Sequence, residues 1–297
     1  MKKRTVIDRV ILKLKYLHLL DWMPDKQYLQ LMYWTIMHKK LNLKNPKGFN
    51  EKLQWLKIND RKPEYTAMVD KYSAKKYVAE IIGEQYIIPT LGIWEHFDNI
   101  NFAELPEQFV MKCTHDSGGV IVCKDKNKLN KVIAKEIIEK SLKSNYYWSG
   151  REWPYKNVPP RIIVEKYMSN SQETSLKDYK FYCFNGIMKF VMINSDRNTD
   201  EPTKADYFDK NFKWLDFTWG YDHAKKHPQK PENFEKMVSL AEKLAKGFPH
   251  IRVDLYECDG QIYFGELTFY DGSGFDAIEP IEWDYKIGKM LKLPCDE

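Results

Sequence analysis

Asn185-Gly186, set between the apolar runs Tyr179 to Phe184 and Ile187 to Ile193, constrains the fold of this chain more than any other feature. A two-residue hairpin turn needs positive φ at both central positions. Asn and Gly adopt that at least cost, so the dipeptide pairs its flanks as antiparallel strands. Asp259-Gly260 repeats the signal between Ile251 to Tyr256 and Gln261 to Leu267. Hairpins interleaved with helical stretches exclude a regular βαβ wheel and predict an α+β fold.

Helical spacing dominates the first 80 or so residues. Val10, Leu14, Leu17 and Leu20 recur at intervals of three and four between Val6 and Met23, among Arg4, Arg9, Lys13 and Lys15. This is a basic amphipathic helix, expected to pack on the body of the protein; anionic lipid is the other surface such a stripe covers. Further helices are expected at Asp25 to Lys39, Asn50 to Leu56 and Asp70 to Ile82, the last stopped by Gly83. Short strands follow at Tyr86 to Pro89, Glu107 to Met111, Gly119 to Cys123 and Ile162 to Tyr167. Lys128 to Leu142 reads as a helix whose apolar face is Val132, Ile133, Ile137 and Ile138. The aromatic, Pro-rich stretch 145–160 is too long for a simple connector and is a candidate functional loop. Residues 195–231 read as a polar surface lobe, ahead of helices at Phe234 to Lys246 and Asp284 to Lys292.

Charge is distributed unevenly. Thirteen of the 47 Lys and Arg, but only five of the 42 Asp and Glu, lie in residues 1–60. The remainder is slightly acidic, which argues against a nucleic-acid binder and leaves a basic arm suited to an anionic membrane or an acidic polymer. Five cysteines without paired spacing read as free thiols of a reducing cytoplasm. No run reaches the roughly 18 uncharged apolar residues of a spanning helix. The expected location is cytoplasmic, with the basic N-terminus as a peripheral contact to the inner membrane face.

Four groups of residues carry candidate chemistry. Lys112 ends an apolar strand just before Asp116-Ser117-Gly118-Gly119, where glycines let backbone N–H groups approach phosphate oxygens; a hairpin turn of that composition also forms without a ligand. Ile162 to Val164 lead into Glu165-Lys166-Tyr167, a strand end that can offer donors and acceptors to an adenine edge or simply reach solvent. Arg252 and Asp254, two apart, share a strand face, and the turn at Asp259-Gly260 brings Asp254 opposite Gly265 or Glu266 on the paired strand. Carboxylates and a guanidinium gathered there suit Mg²⁺ and a phosphoryl group, or a cross-strand salt bridge. His115, beside the glycines, is a candidate phosphate contact or a plain turn histidine. His223 and His227, four apart, lack the glutamate of a zinc-peptidase helix and read as part of a solvated loop.

Taken in order, this set resembles the ATP-grasp superfamily, and more closely the TupA-like ATP-grasp proteins of bacterial polysaccharide gene clusters. The resemblance is carried by Asn45-Pro46-Lys47-Gly48-Phe49-Asn50-Glu51-Lys52-Leu53-Gln54-Trp55, Asp70-Lys71-Tyr72, Lys112 to Gly119, Asp178 to Gly186 and Arg252-Val253-Asp254-Leu255-Tyr256. It covers about Asn45 to Phe275. It implies a fold of two α+β subdomains clasping ATP, 81–167 clasping the nucleotide and 168–297 binding metal. The basic helical segment 1–80 stands where relatives carry an α/β partner domain.

The same resemblance implies that Lys71 and Lys112 contact the ATP phosphates beneath the Ser117-Gly118-Gly119 turn. Glu165, Lys166 and Tyr167 would hold adenine, and Glu173 the ribose. Asp254 and Glu266 would hold Mg²⁺, and Arg252 would stabilise the transferred γ-phosphoryl. Lys180 would face either the phosphates or the acceptor carboxylate. Thr268 stands where many relatives carry a metal-binding Asn and is a weaker ligand, with Asp271 close enough to compensate. The implied activity is an ATP-dependent carboxylate–amine ligase acting on a saccharide or lipid-linked glycan acceptor, through an acyl phosphate. A glycosyl- or phosphotransferase on the same polymer and a non-catalytic nucleotide-binding scaffold are the alternatives. The aromatic residues of 145–160 and 207–221 are the expected saccharide platform.

Overall fold

Thr5 opens the first helix. Its backbone N–H donates to the Asp8 carboxylate at 2.7 Å and its hydroxyl accepts from Asp8 N at 3.2 Å, a reciprocal cap that starts α1 (Val6–Tyr16). The computed structural model describes residues 4–169, 177–195 and 202–294. Ile11 and Leu14 turn inward onto a small core of Leu20, Tyr28, Leu29, Met32 and Tyr33, supplied mostly by α2 (Asp25–Met37). The opposite side is not covered. Val6, Ile7 and Val10, and beyond the helix Leu17, Leu19 and Trp22, are exposed, Trp22 at 80%. The stripe therefore packs on only one side.

The helices α3 (Phe49–Asn59), α4 (Glu64–Val69) and α5 (Ser73–Ile82) share one core with the large sheet described below, through Phe49, Leu53, Tyr65, Met68 and Val78. The short α4 escapes the sequence reading because six residues give too little periodicity to register. The expected strand at Tyr86 to Pro89 begins instead as a single 3-10 turn, and pairing starts four residues later at β1 (Thr90–Trp94). With β2 (Phe109–Cys113), β3 (Ile121–Cys123) and β4 (Ile162–Lys166) it forms a four-stranded antiparallel sheet in the order β1-β4-β2-β3. Behind this sheet lies α6 (Lys131–Leu142), which packs by Ala134 and Ile138 and leaves Val132, Ile133 and Ile137 exposed, against expectation. The loop 145–160 contains a one-turn helix, α7 (Tyr147–Gly150), and a 3-10 segment.

The second sheet has six antiparallel strands in the order β11-β10-β5-β6-β7-β8. Its members are β5 (Lys177–Phe184), β6 (Ile187–Ser195), β7 (Lys204–Asp209), β8 (Trp214–Leu215), β10 (His250–Cys258) and β11 (Gln261–Thr268). The small β9 (Thr218–Trp219) pairs separately with β12 (Ile278–Glu279). Both predicted hairpin turns form, with φ of 50° and 80° at Asn185 and Gly186 and 48° and 76° at Asp259 and Gly260. The reading of 195–231 as a surface lobe is corrected by β7, whose residues Ala205 to Phe208 are all buried. A strand covered on both faces loses the alternation by which it would be recognised.

Two helices close the fold. α8 (Phe234–Ala245) covers β5, β6 and β10. α9 (Ile281–Met290) lies so close to the start of α3 that a side chain at Gly288 would collide with Lys47 O. Asp284 of α9 accepts from Asn50 N at 3.1 Å, holding the first turn of α3. No helix among the described residues is long and apolar enough to cross a membrane. Cys113, Cys123, Cys183 and Cys258 are buried free thiols, and Cys295 lies outside the described residues.

Candidate active site

Strand register builds the first half of the site. On β10, Arg252 stands opposite Thr268 and Asp254 opposite Glu266 of β11, while Asp254 is also opposite Lys180 of β5. The expected convergence of two carboxylates on a guanidinium is therefore present. Arg252 Nε donates to Asp254 Oδ1 at 2.7 Å, and its Nη2 donates to Asp254 Oδ2 and to Glu266 Oε1, each at 2.8 Å. Nη1 donates to Asp271 Oδ1, whose other oxygen accepts from Tyr182 OH at 2.6 Å. Lys180 Nζ reaches Asp254 Oδ2 and, at 2.6 Å, Asp178 Oδ2.

Burial alone would push the Asp254 carboxyl up, but Arg252 and Lys180 hold it below the usual carboxylate range. Burial likewise works against the charge on Lys180 and Arg252, and the carboxylates, Asp254 foremost, more than reverse it. Among the described residues no three Asp, Glu, His or Cys side chains converge to hold a metal ion unaided. Mg²⁺ typically takes one or two carboxylates plus substrate phosphates, and Asp254 with the half-exposed Glu266 supplies that hard oxygen set. Thr268 lends its hydroxyl to Glu266 Oε1 at 3.4 Å.

The second half belongs to the small sheet and α5. Glu165, expected at a strand end, lies inside β4 between Val110 and Thr90 and is only 4% exposed. Its carboxylate is held by Lys112 at 2.6 Å and by Lys75 of α5. Burial would raise its pKa, yet the two ammonium groups, Lys112 first, bring it below the ordinary value. Lys166 is exposed and Tyr167 half-buried just beyond. Lys71 donates to Asp116 O, and Ser141 donates to the Asp116 carboxylate, so the Asp116-Ser117-Gly118-Gly119 turn is tied at its base while Ser117 and Gly118 stay exposed. Gly119 has φ of 60°, and a side chain there would meet Ser141. His115 is buried, its Nε2 at 3.1 Å from both Ser141 O and Ser144 O, which gives it to the turn's framework.

Burial lowers the proton affinity of Lys71, and Glu266 is the charge that most counters this. Lys71 of the second half therefore feels the charge of Glu266 in the first. Between the two halves lies the 145–160 loop, expected to be functional, although its Glu152 and the Lys57 of α3 beneath it were not singled out in the sequence. Tyr146 lies near both Ser117 and Ser273; the charge of Glu152, then burial, raises its hydroxyl pKa above the usual value. Glu152 is buried and accepts from Ser273 Oγ, and burial pushes its carboxyl up to about 7 despite the pull of Lys57. Lys57 of α3, fully buried, donates to Gly150 O at 2.6 Å and Ser273 O at 2.7 Å. Ser273 sits in a left-handed run, with φ of 55°, 52° and 62° at Gly272, Ser273 and Gly274. The length of the loop was the available signal for Glu152; for Lys57 it was the i, i+3 pairing with Gln54.

His223 is half-buried and His227 exposed, and their Nδ1 atoms lie 3.3 and 2.7 Å from the buried Asp206 carboxylate of β7. Glu173 lies outside the described residues.

Among solved structures, the chain is similar to the D-alanine–D-alanine ligase of Bacillus anthracis, at 20% identity over 68% of this chain and 56% of that one, with a TM-score of 0.39. It is also similar to the Helicobacter pylori D-alanine–D-alanine ligase, at 16% identity over 83% and 70% of the two chains, with a TM-score of 0.42. A stretch of 100 residues, 33% of this chain, is 31% identical to the lipoteichoic acid synthase of Staphylococcus saprophyticus, but it spans only 14% of that protein's length. The family model for TupA-like ATPgrasp matches residues 51–292 and takes in Lys71, Lys112, Glu165, Arg252, Asp254 and Glu266 with both sheets that carry them. The chain belongs to the TupA-like ATP-grasp family.

Proposed function

We propose that the protein is an ATP-dependent carboxylate–amine ligase of bacterial cell-surface polysaccharide synthesis. The supporting observation is that Lys71, which neighbours Lys112, feels the charge of Glu266 from the Arg252 cluster, while Lys112 and Lys75 are held by Glu165. ATP phosphates lie against Lys71 and Lys112 under the Ser117-Gly118-Gly119 turn, with adenine near Glu165, Lys166 and Tyr167. Glu165 orients Lys112. Asp254 and Glu266 hold Mg²⁺, which when bound neutralises phosphate charge. Arg252 stabilises the phosphoryl group in flight, and Lys180 keeps Asp254 ionised and positions the acceptor carboxylate.

In the first step an acceptor carboxylate oxygen takes the γ-phosphoryl group and ADP leaves. In the second, an amine nitrogen attacks the acyl carbon, phosphate departs, and the nitrogen loses a proton, leaving an amide. The acceptor is a saccharide or lipid-linked glycan, and α1 gives the protein a peripheral hold on an anionic membrane. The stretch shared with a lipoteichoic acid synthase supports the cell-envelope setting.

Purified protein with Mg²⁺, ATP, a glycan carboxylate and an amine is expected to release ADP only when both co-substrates are present. Glu266→Gln is expected to lower that turnover by at least about a thousandfold while ATP still binds. Full turnover in that variant would remove Glu266 from the metal site. ADP release without amine, with phosphate appearing on a hydroxyl, would make the protein a phosphotransferase.

A further inference from the structure

Lys44, Lys47, Lys52 and Lys289 line one cavity of about 290 Å³ together with Asn45 and Trp55. None of the lining residues is acidic. Lys44, Lys47 and Lys289 are exposed and form no ion pair among the described residues, whereas Lys52 donates to Leu291 O at 2.5 Å. Trp55 is half-buried, anchored against the main core while bordering the cavity. The recess lies on the far side of α3 from the site: Gln54 and Lys57 face Ser273, whereas Lys52 and Trp55 face the cavity.

Several amines around one indole form a particular recognition set. An indole face takes the C–H face of a sugar ring, and unpaired ammonium groups take carboxylate or phosphate oxygens. A flat lipid surface would not enter a recess, and a neutral sugar would leave the amines unused. We propose that this cavity is a holding site for an acidic saccharide, with a sugar ring on Trp55 and its anionic groups on Lys44, Lys47 and Lys289. It rests on the reading of the acceptor as a glycan, and gives that glycan an anchorage separate from the place of reaction.

The test is calorimetric titration of the full chain without ATP, so that it is independent of ligase chemistry. The probes are tetragalacturonate for carboxylate, a glycerol phosphate trimer for phosphodiester, and maltotetraose and AMP as controls. At least one anionic oligomer is expected to bind, more weakly as salt rises from about 50 to 300 mM, and the better of the two identifies the anionic group. Combined Lys44→Ala, Lys47→Ala and Lys289→Ala substitution is expected to weaken binding by about tenfold or more. Trp55→Phe should weaken it severalfold with the fold kept, whatever becomes of Trp55→Ala. Glu266→Gln should bind the oligomer like the parent while losing turnover, which separates failure of the cavity from failure of the ligase reading. Unchanged binding in the triple lysine variant, equal binding of maltotetraose or AMP, or binding of neither anionic oligomer would overturn the proposal.

Discussion

In the Arg252 cluster two buried cations, Arg252 and Lys180, meet the four carboxylates of Asp254, Glu266, Asp271 and Asp178; around Glu165 one buried carboxylate is gripped by Lys75 and Lys112. The same kind of pair occurs in both sheets with opposite stoichiometry. One cluster is left short of positive charge and the other short of negative charge. Neither is built mainly for stability, since a balanced buried pair, or none, costs less than an unbalanced one. The difference fits the proposed ligase reading, in which a metal–phosphate ligand would supply a cation to the first cluster and an anion to the second.

Arg252→Lys probes the comparison most sharply. It keeps the charge and loses the planar fork that contacts three carboxylates at once, so turnover should fall by about a thousandfold in an ADP-release assay. ATP affinity, read by calorimetry, should stay within a few-fold. An equal loss of ATP affinity would mean that the two clusters bind as one unit.

Glu165→Gln attacks the other cluster and should lower stability to urea by about 3 kcal/mol, because it leaves two lysines facing each other without their counter-charge. The pH dependence has a definite sign. The Glu165 pKa is held below 4.5, so its contribution is complete above that unfolded value and is lost as pH falls below it through the native one. Urea melts of the parent should weaken over that acid range, and those of Glu165→Gln should weaken less. Identical acid profiles would show that the carboxylate is not held by the lysines.

The smallest effect is expected outside both clusters. Val10→Ser with Trp22→Ser should lower co-sedimentation with phosphatidylglycerol vesicles a few-fold and leave turnover on soluble substrates unchanged. Unaltered sedimentation would leave the exposed side of α1 without a membrane role.

Legibility in the sequence followed the range of the interactions. The Asn185-Gly186 and Asp259-Gly260 turns fix register locally, so Asp254 was readable as opposite Gly265 or Glu266, whereas the register shift between Asp254 and Leu255 that selects Glu266 was not. Glu165 was readable as important but not in its role, since its partner Lys75 comes from a helix 90 residues earlier. β7 was hidden by burial of both faces, and α6 misled because Val132, Ile133 and Ile137, three of the four residues of its expected apolar face, are left outside. Glu152 and Lys57 look like ordinary surface charges until the loop and α3 are folded over Ser273.

Ser273 shows how the floor of the site came by its shape. In a left-handed run glycine is the residue of least strain, and a serine there costs about 1 kcal/mol. In return its hydroxyl orients Glu152, while its carbonyl receives both Lys57 and Gln54. Here the chain holds three side chains to one bearing at some expense of conformational ease. Ser273→Gly should therefore make a sturdier backbone around a less accurate enzyme.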